Sequence, residues 1–108
     1  MKYTIYQLPI ENNLAFRSWE EFEKSHSLKS PRDFHRTEHL KEWRKVYDGE
    51  IEQRPANSKA ILEHIFTILN IMHPKDYRAR SLSVSDLVEL ENGELWFCDN
   101  TSWVLLSI

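Results

Sequence analysis

Glycine is almost missing from this chain, with two among 108 residues, and it is accompanied by only four prolines and one cysteine. So little glycine and proline excludes long flexible linkers, and no low-complexity tract or internal repeat is present. A lone cysteine, Cys98, excludes an internal disulfide and the stapled framework of small secreted domains. No apolar run approaches the ~20 residues that cross a bilayer. Met1-Lys2-Tyr3-Thr4-Ile5-Tyr6 has neither the apolar stretch nor the cleavage pattern of a secretory leader. These absences predict a protein of a reducing cytoplasm with no membrane contact. The glycine-rich phosphate loop, Cys-x-x-Cys, His-Glu-x-x-His and Gly-x-Ser-x-Gly are also missing, so nucleotide, zinc and serine-nucleophile chemistry lack their usual signatures and no cofactor is implied.

Aromatics, by contrast, are plentiful: four tryptophans, four tyrosines and five phenylalanines. With 41% hydrophobic residues, that is enough to fill one modest core, and the length predicts a single domain over 1–108. The net charge of −3 is unevenly spread. His26 to Tyr47 carries six basic residues (Lys29, Arg32, Arg36, Lys41, Arg44, Lys45) against three acidic ones. Ser81 to Ile108 has no lysine or arginine and five carboxylates (Asp86, Glu89, Glu91, Glu94, Asp99). A basic middle and an acidic end can serve charged partners, although solvated faces look the same in sequence.

The periodicities predict an α+β fold. Lys2 to Leu8 alternates as a strand and stops at Pro9. Ser18-Trp19-Glu20-Glu21 fits a capping box, and the helix it opens runs to about Lys24. Pro31 marks a second helix start, and Asp33 to Leu40 has room for one or two turns. Trp43 to Glu52 reads as a strand with Trp43, Lys45 and Tyr47 on one side and a bulge or bend at Gly49. Arg54-Pro55-Ala56-Asn57-Ser58 is a loop ending in a helix cap. The helix from Ser58 to about Asn70 carries Ile61, Ile65, Ile68 and Met72 as one stripe, widened by Leu62, Phe66 and Leu69. Ser81 to Asp86 reads as extended, with Leu82, Val84 and Asp86 on one face and three serines on the other. Leu87 to Glu91, Glu94 to Asp99 and Trp103 to Ser107 complete a three-strand meander, its first turn at Asn92-Gly93 taking type I′ geometry. A small antiparallel sheet packed on one main amphipathic helix follows.

Several residues invite a chemical reading. His35 and His39 have the spacing of half a metal site, which needs a third ligand such as His26, Glu38 or Cys98. Asp86, Glu89 and Asp99 can hold Mg²⁺ or move protons, but aspartates at strand ends also commonly accept backbone N–H groups. Ser81, Ser83 and Ser85 have no histidine after them in sequence, and hydroxyls at such a junction commonly satisfy backbone groups. Cys98 reads as a small buried residue. Phe34, Trp43 and Tyr47 among the arginines and lysines suit stacking on RNA or single-stranded nucleic acid, and they are also what the core needs.

Several segments occur in a familiar order: Tyr3-Thr4-Ile5-Tyr6-Gln7-Leu8, Val46-Tyr47-Asp48-Gly49-Glu50, Leu62 to Asn70, His73-Pro74-Lys75-Asp76-Tyr77, Ser81-Leu82-Ser83-Val84-Ser85-Asp86 and the aromatic pair before Cys98-Asp99. Nearly the full chain thereby resembles the YodL-like domain of conjugative elements, plasmids and phages. Ser102-Trp103 departs from the Gly-Phe common there, and His26 to Arg36 stands apart as an insert. The resemblance transfers no catalytic residue. It implies a small counter-defence protein similar to inhibitors of type II-A Cas9, a stoichiometric inhibitor and not an enzyme. Its partner would be bacterial Cas9 or its guide RNA complex, with RNA contact as an addition. The contacts expected are Asp86, Glu89, Glu91 and Glu94 on the acidic side, and Arg32, Arg36, Lys41 and Arg44 on the basic side. The alternatives are a metal-dependent nuclease using Asp86 or Asp99, and an accessory domain that binds nucleic acid or a conjugation protein.

Overall fold

The computed structural model describes residues 1–52 and 57–107. The expected loop at Arg54, Pro55 and Ala56 lies outside them. Five strands form one antiparallel sheet: β1 (Lys2–Gln7), β2 (Arg44–Glu50), β3 (Leu87–Leu90), β4 (Leu95–Cys98) and β5 (Trp103–Ser107). Their order is β2-β1-β3-β4-β5. Three helices cover the sheet: α1 (Trp19–His26), α2 (Arg36–His39) and α3 (Ser58–Ile71), with short 3-10 turns at Pro31–Asp33 and Leu40–Glu42. The α+β class, the main helix and the C-terminal meander are as the sequence predicts. Among the described residues no helix is long and apolar enough to cross a membrane.

Both faces of the sheet are packed. On one face, Ile61, Leu62, Ile65 and Leu69 of α3 meet Tyr3, Ile5, Val88, Trp96 and Trp103. On the other, Trp19 and Phe22 of α1 join Leu8, Phe34, Trp43, Leu87, Leu95 and Phe97. Each large side chain here contributes on the order of 2 kcal/mol by leaving water. Packing on both faces explains why β4 is apolar throughout, as Leu95-Trp96-Phe97-Cys98, and does not alternate.

Helix ends are set locally. Ser18 and Glu21 close the predicted capping box on α1, and Ser27 ends it in the left-handed region at φ 56°. The Asn57 side chain accepts from the Ala60 N–H to start α3. The helix stops at Ile71, so Met72 falls outside the stripe assigned to it, and both residues are exposed.

Four other expectations are corrected. The β1–β2 register jumps from Ile5↔Tyr47 to Tyr6↔Lys45, so the bulge is at Val46 rather than Gly49. The extra residue inverts the face parity, and Trp43 and Tyr47 therefore enter opposite cores. At the first meander turn only Gly93 has positive φ, 94°, and its N–H donates to the Leu90 carbonyl. That is a three-residue loop with a left-handed glycine, not a type I′ turn. The segment Ser81 to Asp86 is not extended throughout: Ser83 to Asp86 close a turn through the Asp86 N–H and the Ser83 carbonyl, with Ser85 at φ 81°.

Gly49 is needed for space. A Cβ there would sit 2.3 Å from Cζ and 2.4 Å from the hydroxyl oxygen of Tyr3, whose ring crosses the glycine. Gly49→Ala should cost about 1–3 kcal/mol by overpacking. A lowered midpoint in urea unfolding checks this, and an unchanged midpoint would show that Tyr3 has other room.

Candidate functional site

The serine-rich turn leads into β3 through Asp86, and the polar groups of the fold converge there. Asp86 is fully buried, at 0% exposure. Its Oδ2 accepts from the Ser83 N–H at 2.8 Å and from Gln7 Nε2 at 3.1 Å. Its Oδ1 lies 3.5 Å from the Arg80 guanidinium. The same guanidinium donates to the Leu8 carbonyl at 2.8 Å and lies 4.9 Å from the Phe16 ring centre. Gln7 is buried too and also donates to the Arg80 carbonyl.

Ser85 extends the cluster into the second core. Its left-handed backbone turns its hydroxyl to accept from the Phe16 N–H at 2.9 Å, and its carbonyl accepts from the Trp43 indole at 2.8 Å. Phe16 is itself left-handed at φ 68°, an uncommon conformation for a bulky residue. Three buried polar atoms have no hydrogen-bond partner among the described residues: Arg80 Nε, Ser83 Oγ and Asp86 Oδ1. Desolvation pushes the Asp86 carboxyl up to about pH 7, against the pull of Ser83, Gln7 and Arg80. Burial and nearby carboxylates push the neighbouring Cys98 thiol up to about 12, so it stays protonated and inert.

The other candidate groups are mostly occupied in the fold. Asp99 Oδ1 accepts from the N–H groups of Trp19 and Asn100, the turn role that competed with acid–base work. Glu89 pairs with Arg36 at 2.5 Å, and Arg36 also donates to the Gly93 carbonyl. The expected acidic and basic sets thus meet inside one molecule. Glu94 accepts from Ser58 and from the Trp96 indole, and these bonds lower its pKa. Of the acidic set only Glu91 is exposed, and it accepts from the Lys2 N–H. Asp86 has no surface with which to meet a partner.

His39 is buried, and its Nδ1 accepts from the His35 N–H; His26 bonds Glu42 at 2.6 Å. Among the described residues no group of three or more His, Cys, Asp or Glu side chains could hold a metal ion. Arg32, Lys41 and Arg44 are exposed and form no ion pair among the described residues. Phe34 and Trp43 are core residues, so of the three aromatics expected to stack on RNA only the half-buried Tyr47 keeps exposed surface. Sequence reasoning did not find Gln7 or Arg80. A glutamine on the buried face of a strand, and the last basic residue before a long acidic stretch, were the available signals.

A family model described as the YodL-like domain matches residues 2–106. The chain therefore belongs to the YodL-like domain family. No curated protein and no solved structure matches it.

Asp86 sets a pH dependence. An acid whose pKa rises on folding binds its proton more tightly in the folded chain. The stability held by its neutral form is complete below about pH 4 and is lost as pH rises toward about 7. Asp48 and Glu94, whose pKa values fall on folding, act in the opposite sense and at lower pH. Relative to Asp86→Asn, the wild type should lose stability on the order of 1 kcal/mol per pH unit between about pH 4.5 and 7. Urea unfolding across that range checks it, and parallel curves would contradict it.

Proposed function

We propose that this YodL-like domain is a non-catalytic counter-defence protein of a mobile element that binds and inhibits Cas9 stoichiometrically in the bacterial cytoplasm. The observation that carries the binding reading is the set Arg32, Lys41 and Arg44: exposed cations with no ion pair among the described residues, two on the stretch that covers one face of the sheet and Arg44 at the start of β2. The groups that acid–base or nucleophilic chemistry would recruit are engaged elsewhere. Asp86 and Asp99 hold turns, and Cys98 is buried. Such exposed cations suit an acidic protein surface or a phosphate backbone, and they steer association more than they deepen affinity. The choice of Cas9 comes from likeness to small counter-defence proteins, an association and not a contact, since a fold does not fix its function.

Cas9, guide RNA and this protein should be combined in both orders before target DNA is added. The expected result is loss of DNA cleavage at about equimolar protein with the guide intact on a gel. Reversal of the three cations to glutamate should raise the half-inhibiting concentration at least about tenfold. It should leave stability within about 0.5 kcal/mol. Full cleavage at excess protein contradicts the Cas9 target, and a fragmented guide contradicts the non-catalytic reading.

A further inference from the structure

β2 is a sheet edge, and its outer half is built differently from its inner half. The Met1 ammonium donates to the Ile51 carbonyl and the Ile51 N–H donates to the Met1 carbonyl, at 2.8 Å each. In an antiparallel ladder, bonded and non-bonded pairs alternate. Tyr3↔Gly49 and Ile5↔Tyr47 are then bonded pairs, while Lys2↔Glu50 and Thr4↔Asp48 are not. The backbone N–H and C=O groups of Asp48 and Glu50 therefore point away from β1, to the free edge. The Lys2 N–H fits this parity, since it faces the other way and donates to Glu91.

A groove of about 540 Å³ runs along this edge, lined in part by Tyr3, Tyr47, Asp48, Gly49, Glu50 and Asp76. Tyr3 is only 3% exposed, and its hydroxyl has no hydrogen-bond partner among the described residues. Its ring crosses Gly49, where no Cβ blocks it, and its hydroxyl ends in the groove. Tyr47 donates to Asp76 Oδ1 at 2.9 Å, and the second Asp76 oxygen has no hydrogen-bond partner among the described residues. Asp48, Glu50 and Asp76 line the groove with Lys2, and Asp48 is already paired with Lys45 at 3.0 Å, which leaves Glu50 and Asp76 as the carboxylates without an ion pair among the described residues. Burial and Asp76 push the Tyr3 hydroxyl up to about 12, so it stays a neutral donor and acceptor.

We infer that the β2 edge from Tyr47 to Glu50 binds an extended segment of a partner protein by strand addition, seating one of its Lys or Arg side chains on the Tyr47 ring between Asp76 and the Tyr3 hydroxyl. The outward backbone groups supply the hydrogen bonds, and the carboxylates and ring face select a cation. A second copy of this chain fits poorly. The registers that use the outward groups set Asp48 and Glu50 against themselves, and the Val46 bulge stops the pairing before Arg44 and Lys45 are reached. Nucleic acid meets the wrong charge. Arg44 begins the same strand beyond the Val46 bulge, but the inference uses none of the three exposed cations and does not depend on Cas9 as the target.

The test is a ¹⁵N amide titration of the full chain with acetyl-Val-Arg-Val-Arg-Val-Arg-Val-amide, with the glutamate-for-arginine peptide alongside. The expected result is shifts centred on Tyr47 to Glu50, slowed hydrogen exchange at the Asp48 and Glu50 amides, and at least about tenfold weaker binding of the acidic peptide. Glu50→Pro removes only an outward N–H and should abolish binding. The pair Glu50→Lys with Asp76→Lys leaves the backbone groups intact and should reverse the preference, which decides the matter even if the proline variant unfolds. No shift at millimolar peptide, shifts centred on another face, or an unreversed preference would overturn the inference. No nuclease is present, so failure here and failure of the Cas9 reading are read separately.

Discussion

The carboxylate of Asp86 is the constraint on which the rest of this fold depends. Removing it from water costs several kcal/mol, and the fold meets that cost with neighbours drawn from distant parts of the sequence. Gln7 comes from β1, Ser83 from the preceding turn and Arg80 from the loop after α3. Arg80 in turn holds the Leu8 carbonyl, and Ser85 holds Phe16 and the Trp43 indole. One buried group therefore fixes where β3 begins, how the chain leaves β1, and how the aromatic cover sits on the second face. Desolvation favours the neutral acid, which is why the pKa rises despite a nearby guanidinium, and the partial neutralisation that results near pH 7 lowers the cost further.

The sequence was most readable where local rules dominate. Alternation located β1, the capping box located α1, the 3.6-residue stripe located α3, and the Asn92-Gly93 turn signal between strand-like runs located the meander. It misled where one extra residue or one left-handed residue changes parity. Val46 cannot be recognised as a bulge from its type, because a bulge is a property of the pair and the partner strand is forty residues away. Ser85 in the left-handed region is equally silent, since serine seldom goes there without a tertiary reason. With Ser85 extended, the run Ser81 to Asp86 alternates and Asp86 looks like a surface carboxylate. With Ser85 turned over, Asp86 goes to the centre of the protein.

The same shift changes which residues are available to meet a partner. Of eight expected contact residues, Asp86 is interior, Arg36 and Glu89 are paired with each other, and Glu94 is tied to Ser58 and Trp96. What remains are Arg32 and Lys41 on the helical cover and Arg44 at the start of β2; Glu91 at the hairpin is exposed but accepts from the Lys2 N–H. The groove with the most distinctive chemistry, at Tyr3, Tyr47 and Asp76, contains residues that no charge count would have selected. The described surface thus carries exposed cations in one region and an acidic groove in another.

The central claim, that Asp86 acts as an internal clasp and not as a contact or catalyst, is tested most directly by the unfolding free energy of Asp86→Ala in urea at neutral pH. The variant leaves the Ser83 N–H without its acceptor, removes one of the acceptors of the Gln7 amide and takes the buried counter-charge from Arg80. The account predicts a loss on the order of 3 kcal/mol or more, with an unchanged dependence on urea concentration. A midpoint equal to that of the wild type would contradict it.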